Sequence, residues 1–252
     1  VARVLVVGFI QANYFPISLS LAFFTSCLLG EESVSSQVLI ESFHKYVSKD
    51  ECETIQKCMA SDSDEYDPAN DNDVLDFLTS YKCYRVPTKE AMPNIILELA
   101  HQEIIQKPKY IANAWSSIIA HLKGYAEFKS VEDLKEMYSS KKPTAKKVIK
   151  LLNATPSSDA ERQCFDHLKR FIKSLDDNLL CILLQFISGS NIISTEKIDV
   201  AFNTTSGNLR SPTAHTCGPL LVIRSTNQTY DELSKEFTHI LRASASWSFG
   251  IV

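Results

Sequence analysis

Apolar residues recur at helical spacing along most of the chain and change to strand-like alternation only near its end. Val38, Leu39, Phe43, Tyr46 and Val47 repeat at three- to four-residue intervals, the stripe of a helix that buries one side. Ile95, Ile96, Leu99, Ile104 and Ile105 form a second stripe, and Trp115, Ile118, Ile119 and Leu122 continue it beyond Pro108. "SVEDLKEMYSS" predicts a short helix in which Ser130 is the N-cap and Glu132 and Asp133 suit the positive end. Phe165, Leu168, Ile172 and Leu175, followed by the apolar run 179–187, predict one or two more helices, stopped at Gly189. "KIDVAF" then alternates as a strand, "PLLVI" reads as a buried strand, and "TYDELSKEFTHILRAS" closes the chain as an amphipathic helix.

The opening thirty residues are apolar enough to raise a membrane span. Arg3, Gln11, Asn13 and Pro16 interrupt them, and no run reaches the ~18 residues that a span requires. They read as buried helices joined at "NYFP". "VLVVGF" carries only Gly8, without the G-x-G-x-x-G of a dinucleotide fold. The first residue is Val, and the chain reads as the carboxy-terminal portion of something longer. Residues 153–159, "NATPSSD", are small, polar and proline-bearing between two helical patterns. They place a linker at 153–158, between a helical region, 1–152, and a smaller helix-and-sheet region, 159–252. The expected class is therefore α+β and bilobed. Its N-terminal lobe is mostly helical, and its C-terminal lobe has a short sheet flanked by helices.

Composition narrows the chemistry. The chain has 252 residues and a net charge of −4, so there is no basic field for nucleic acid. The lysines at 141–150 read as a solvated helix face. "ASDSDEYDPANDND" lacks the central glycine of a calcium loop and reads as a solvated acidic loop. His101 and His121 have no partner at metal-site spacing, so no metal is expected. The seven cysteines form neither CxxC pairs nor an even set, which suits a reducing compartment, cytoplasmic or nuclear. There the sequons at Asn153, Asn203 and Asn227 carry no meaning. Cys164 and Cys181 lie on apolar stretches and read as inert core thiols.

Cys217 differs from these. In "SPTAHTCGPLLVI", Pro212 fixes the approach, and an extended "TAH" sends His215 and Cys217 to one side. Gly218 leaves room beside the sulfur, and Pro219 leads into the strand. Such a thiol suits either a nucleophile on a supported loop or a buried small hydrophobe.

"RSPTAHTC" resembles the active-site signature of HECT-type ubiquitin ligases, (basic)-Leu-Pro-x-Ala-His-Thr-Cys, at Arg210, Pro212, Ala214, His215, Thr216 and Cys217. "LLCILLQFISGS" is similar to the stretch that precedes that family's sheet, and "TYDELSKEFTHIL" to the helix after its cysteine. "FGIV" places Phe249 fourth from the end, and the opening segment resembles the middle of the family's N-lobe. The helical half is a shortened match, closest in style to the G2/M-phase-specific branch. Departures are Ser211 for leucine, Ile187 and Ser188 for Val/Thr-type residues, and Gly218-Pro219 for an aromatic-Asn pair. The tail after Phe249 also lacks an acidic residue.

The resemblance implies a ubiquitin-protein transferase without cofactor. Cys217 would take ubiquitin from a conjugating enzyme as a thioester and pass it to a lysine of a protein substrate. His215 either activates the thiol or orders the loop, and loop ordering is preferred. Thr216 and nearby N–H groups would hold the oxyanion. Phe249 would position the tail, and Pro156, Ser157 and Ser158 would serve as hinge. Neither nucleic acid nor membrane is an expected partner. Two other readings stay open. One is a catalytically decayed module that only binds ubiquitin or a partner, favoured by the absent front of the N-lobe and by Gly218-Pro219. The other is a cysteine hydrolase, opposed by the strand, rather than helix, after Cys217.

Overall fold

The computed structural model describes residues 1–60, 66–204, 211–226 and 229–243. The chain is α+β, with twelve α-helices and one four-stranded sheet among the described residues. It divides into two compact units: Val1–Val6 with Ile17–Met137, and Val7–Pro16 with Tyr138–Val252. Among the described residues no helix is long and apolar enough to cross a membrane.

The first helix, α1 (Ala2–Ala12), buries Leu5, Val6 and Phe9 but leaves Val4 and Ile10 exposed. This first helix is thus one-sided, because its apolar residues encircle it and only one stripe meets a partner, whereas the second helix of the opening segment buries Ala22, Phe23, Phe24, Cys27 and Leu28 as expected.

In the first unit, Ser20 caps α2 (Leu21–Leu29) by accepting from the Phe23 N–H, and Ser35 caps α3 (Ser36–Tyr46) by accepting from the Val38 N–H. These bonds meet donors that a helix start leaves unpaired. α4 (Lys49–Ala60) and α5 (Asn72–Ser80) pack together, as do α3 and α6 (Met92–His101), and α2 and α7 (Lys109–Ile119). Phe24, Phe43, Phe128, Ile96 and Leu122 are fully buried among them. Val47 ends α3 instead of extending it, and Tyr46 is largely exposed. The acidic segment is partly structural. Asp67 caps a short 3-10 turn and Asp71 caps α5, while residues 61–65 of that segment lie outside the described set.

After α8 (Val131–Lys141), the second unit contains α9 (Ala145–Leu151), β1 (Leu152–Ala154), α10 (Asp159–Ser174) and α11 (Asp177–Ser188). β2 (Ile198–Asn203), β3 (Thr213–His215), β4 (Leu220–Arg224) and α12 (Tyr230–Arg242) follow. Sheet order is β1-β2-β4-β3, with β1/β2 and β2/β4 parallel and β3/β4 antiparallel. The helices cover one face. Ile198, Val200, Leu221 and Ile223 point into the core, where they meet residues such as Leu168 of α10 and Phe237 of α12. The alternate residues Asp199, Leu220 and Val222 are only half-buried, as the two-residue period of a one-sided sheet requires. "PLLVI" is accordingly an alternating strand rather than one buried on both faces.

The expected linker is displaced. Asn153 and Ala154 pair with Asp199 and Val200 in the sheet, and Val148 of α9 belongs to the same core as α10. Residues 153–158 therefore lie inside the second unit, and the division falls at Met137/Tyr138 instead. Pro156 and Ser157 precede the α10 cap, and Ser158 is that cap, accepting from the Glu161 N–H. The small polar residues that signal a linker are the same ones that start a helix, so Pro156, Ser157 and Ser158 lie within one unit rather than at a hinge between two.

Candidate functional site

The β3–β4 hairpin carries the candidate nucleophile. His215 pairs with Leu220, Ala214 with Leu221 and Thr213 with Val222. The chain reverses through Thr216–Pro219, and Cys217 sits exposed on that turn. The strand ends at His215, so the two-residue alternation from which the same-side projection was expected does not extend to Cys217. Among the described residues no hydrogen bond joins the His215 imidazole to Cys217. The backbone of His215 does anchor the turn, through its place in β3.

Both flanks of the turn are supported. On one side, α11 ends at Gly189 in the left-handed region, φ 73°. A Cβ built there would lie 3.4 Å from the Thr216 Cβ. Thr216 is half-buried against this helix end. The chain on both sides of Gly189 is self-bonded: the Ser188 hydroxyl donates to the Leu184 carbonyl at 2.8 Å, and that of Ser190 to the Ile192 carbonyl at 3.1 Å. Ile193 N–H reaches the Lys141 carbonyl at 3.0 Å. On the other side, Asp199 N–H donates to the Pro219 carbonyl at 2.9 Å. Nothing lies within 4 Å of a Cβ built on Gly218, so the turn is open to solvent beside the sulfur, as the glycine led us to expect.

One register row crosses the sheet at this end: Asn153, Asp199, Leu220 and His215. Residues paired across strands face the same side, here the side without helices. The Asn153 amide donates to Asp199 Oδ1 at 2.6 Å, and Lys197 Nζ lies 3.0 Å from Asp199 Oδ2. Asn153 first, then Lys197, hold the Asp199 carboxyl below the usual carboxylate range. Sequence reasoning did not single out Asp199, and it met Asn153 only as a sequon and as the start of the expected linker. The only signal was a carboxylate at an outward position of "KIDVAF", and nothing local links it to a cysteine eighteen residues later in the chain.

The remaining thiols differ in setting. Burial pushes Cys27 and Cys164 up to about 11, and Cys164 donates to the Arg224 carbonyl at 2.8 Å. Cys181 is half-buried and also raised by burial. Phe249 and Arg210 lie outside the described residues. No family model matches the chain, and no curated protein matches it.

Proposed function

We propose that the second unit is the catalytic lobe of a ubiquitin-protein transferase. The observation that carries the reading is the exposed Cys217 thiol on a short turn braced by Gly189 at one flank and by the Asp199 N–H at the other. A nucleophile that must meet a macromolecular thioester needs exposure and a fixed position rather than a deep pocket. The ordered resemblance around "TAHTC" gives this thiol its substrate class.

In the first transfer the Cys217 thiolate attacks the carbonyl that links ubiquitin to the conjugating enzyme. A C–S bond forms to Cys217, and the bond to the donor breaks with its electron pair leaving on the donor sulfur. Exchange between two thioesters is near balance, so positioning is the main contribution of the protein. Thr216, pressed against the α11 end, keeps the adjacent backbone fixed, and backbone N–H groups of the turn are the oxyanion donors in this scheme. His215 acts through its strand position, in keeping with the absence of a bond from its imidazole to Cys217. In the second transfer a substrate lysine attacks the thioester on Cys217.

The test is a non-reducing gel of the chain with a ubiquitin-charged conjugating enzyme, run beside Cys217→Ala. An adduct of one ubiquitin mass that thiol removes and the variant lacks is the expected result. The missing imidazole bond favours a second reading, a module that only binds. If chemically activated ubiquitin also fails to load Cys217 while ubiquitin still binds, that reading replaces the first.

A further inference from the structure

We infer that the first unit carries a groove along α6 that takes an extended peptide segment of a partner protein, apolar at alternate positions and with a basic residue at one end. This surface is independent of the Cys217 reading. The groove consists of three adjoining hollows of about 340, 560 and 450 Å³. Leu97 and Glu98 line both the first and the second, and Val34, Leu39 and His101 line both the second and the third.

One row of polar side chains borders it: Asn94, Glu98, Gln102 and Gln106. They stand four residues apart, so they repeat at about 6 Å along the helix axis. An extended peptide presents backbone groups to one side every two residues, at about 6.6 Å. Two repeats of nearly equal length can pair rung by rung. In a regular α-helix each fourth residue lies about 40° further round, which would carry Gln106 about 120° away from Asn94. The helix instead widens into a π turn at Gln102–Gln106, where the Lys107 N–H donates to the Gln102 carbonyl at 2.9 Å. The wider turn reduces that drift and keeps Gln106 on the groove, and single π turns of this kind recur at functional sites.

The row has hydrogen-bonding capacity to give. Among the described residues, the side-chain amides of Asn94, Gln102 and Gln106 make no hydrogen bond. Each offers both donors and an acceptor, the complement of a peptide backbone. Half-buried Val34 and Leu97 supply apolar wall for alternate side chains, and Val86, 71% exposed, extends it at one end. Charge distinguishes the two ends. Glu31 is engaged by His101 at 2.8 Å and Lys109 at 3.3 Å, and Glu98 by Arg85 at 2.7 Å. Glu32, beside Glu31 in the third hollow, has no ion pair among the described residues. Its uncompensated charge selects a basic side chain at that end, opposite the end that Arg85 lines.

The experiment selects peptides of about ten residues from a randomised phage-displayed library on the full chain, enough to span the row at the rise of an extended strand. The selected peptides are then synthesised and titrated by fluorescence anisotropy. They are expected to alternate apolar residues and to carry Lys or Arg near one end. Gln102→Ala combined with Gln106→Ala is expected to weaken binding about tenfold, through the loss of two backbone bonds. Glu32→Gln weakens it about threefold, and a peptide without its basic residue binds the parent and Glu32→Gln alike. Methylation of peptide N–H groups weakens binding at one set of alternate positions only, because an extended chain turns every second N–H to the row. Thermal melts of these variants match the parent, since the replaced side chains are at the surface. No enriched peptide, or affinities that Gln102→Ala with Gln106→Ala leaves unchanged, overturns the inference. A dimer in sedimentation that the same substitutions abolish also overturns it, and gives the groove to a second copy of the chain.

Discussion

Gly189 and Thr216 are in near-contact: a Cβ on the glycine would lie 3.4 Å from that of the threonine. The left-handed end of α11 is therefore packed against the residue that precedes Cys217. Two glycines near the thiol consequently have opposite tolerances. Gly189→Ala puts a side chain into a left-handed conformation and against Thr216, and is expected to cost about 1 kcal/mol in urea unfolding. Gly218→Phe starts from a Cβ in open space. Its unfolding free energy is expected to stay within about 0.5 kcal/mol of the parent. A larger loss at Gly218 than at Gly189 would contradict this account of the turn.

The cysteines separate by burial. Cys217 is exposed, whereas Cys164 is buried, raised to about 11 and engaged with the Arg224 carbonyl. Brief iodoacetamide treatment of the native chain, read by peptide mass, is expected to modify Cys217 roughly a hundredfold faster than Cys164. Unfolding in urea should abolish most of that difference.

Lys141 is a buried cation whose ammonium donates to the Asn13 carbonyl at 2.5 Å and to Asn13 Oδ1 at 2.7 Å. Asn13 itself has a positive φ of 48°. The bonds hold residues 7–16 to the second unit, where Phe15 also packs on Tyr138 at 5.6 Å. Lys141→Met is expected to destabilise the chain by about 2 kcal/mol. Lys142→Met, which removes a surface pair with Asp177, is expected to change it by less than about 0.5 kcal/mol. Comparing the two in chemical denaturation separates a buried tether from ordinary surface charge.

The start of α10 supplies a pH dependence. The N–H and hydroxyl of Ser157 both donate to Glu161 Oε2, at 2.6 and 2.8 Å. The Ser157 N–H first, then its hydroxyl, hold the Glu161 carboxyl below its ordinary range. A carboxyl depressed in the folded state stabilises it above the unfolded value, about 4.3, and that stabilisation is lost as pH falls through the folded value. Melting temperatures recorded from about pH 6 down to 3 should show the parent losing ground to Glu161→Gln across the acidic end. Parallel curves would mean the cap bond does not depend on ionisation.

Much of the helical framework was legible in the chain. The spacings at Ile95, Ile96 and Leu99 and at Phe165, Leu168 and Ile172 each correspond to a helix, because a residue repeat of 3.6 leaves one side to bury whatever the partner is. "TAHTC" set one thiol apart from the others, and the structure leaves it exposed where Cys164 is enclosed. The expected linker at 153–158 is instead a strand end and a helix start, for a local reason: Ser, Asp and Pro begin helices as readily as they separate domains.

What the chain by itself determined is the set of periodic segments, their caps, and a thiol set between a short extended stretch and an apolar strand. Tertiary structure alone decided which distant residues flank the turn that carries that thiol. Strand order β1-β2-β4-β3 brings Asn153, Asp199, Leu220 and His215 into one row, and helix packing brings Gly189 to Thr216. Periodicity specifies which face of an element is buried. It contains no information on register or on neighbours, because these follow from the joint packing of all elements around one core.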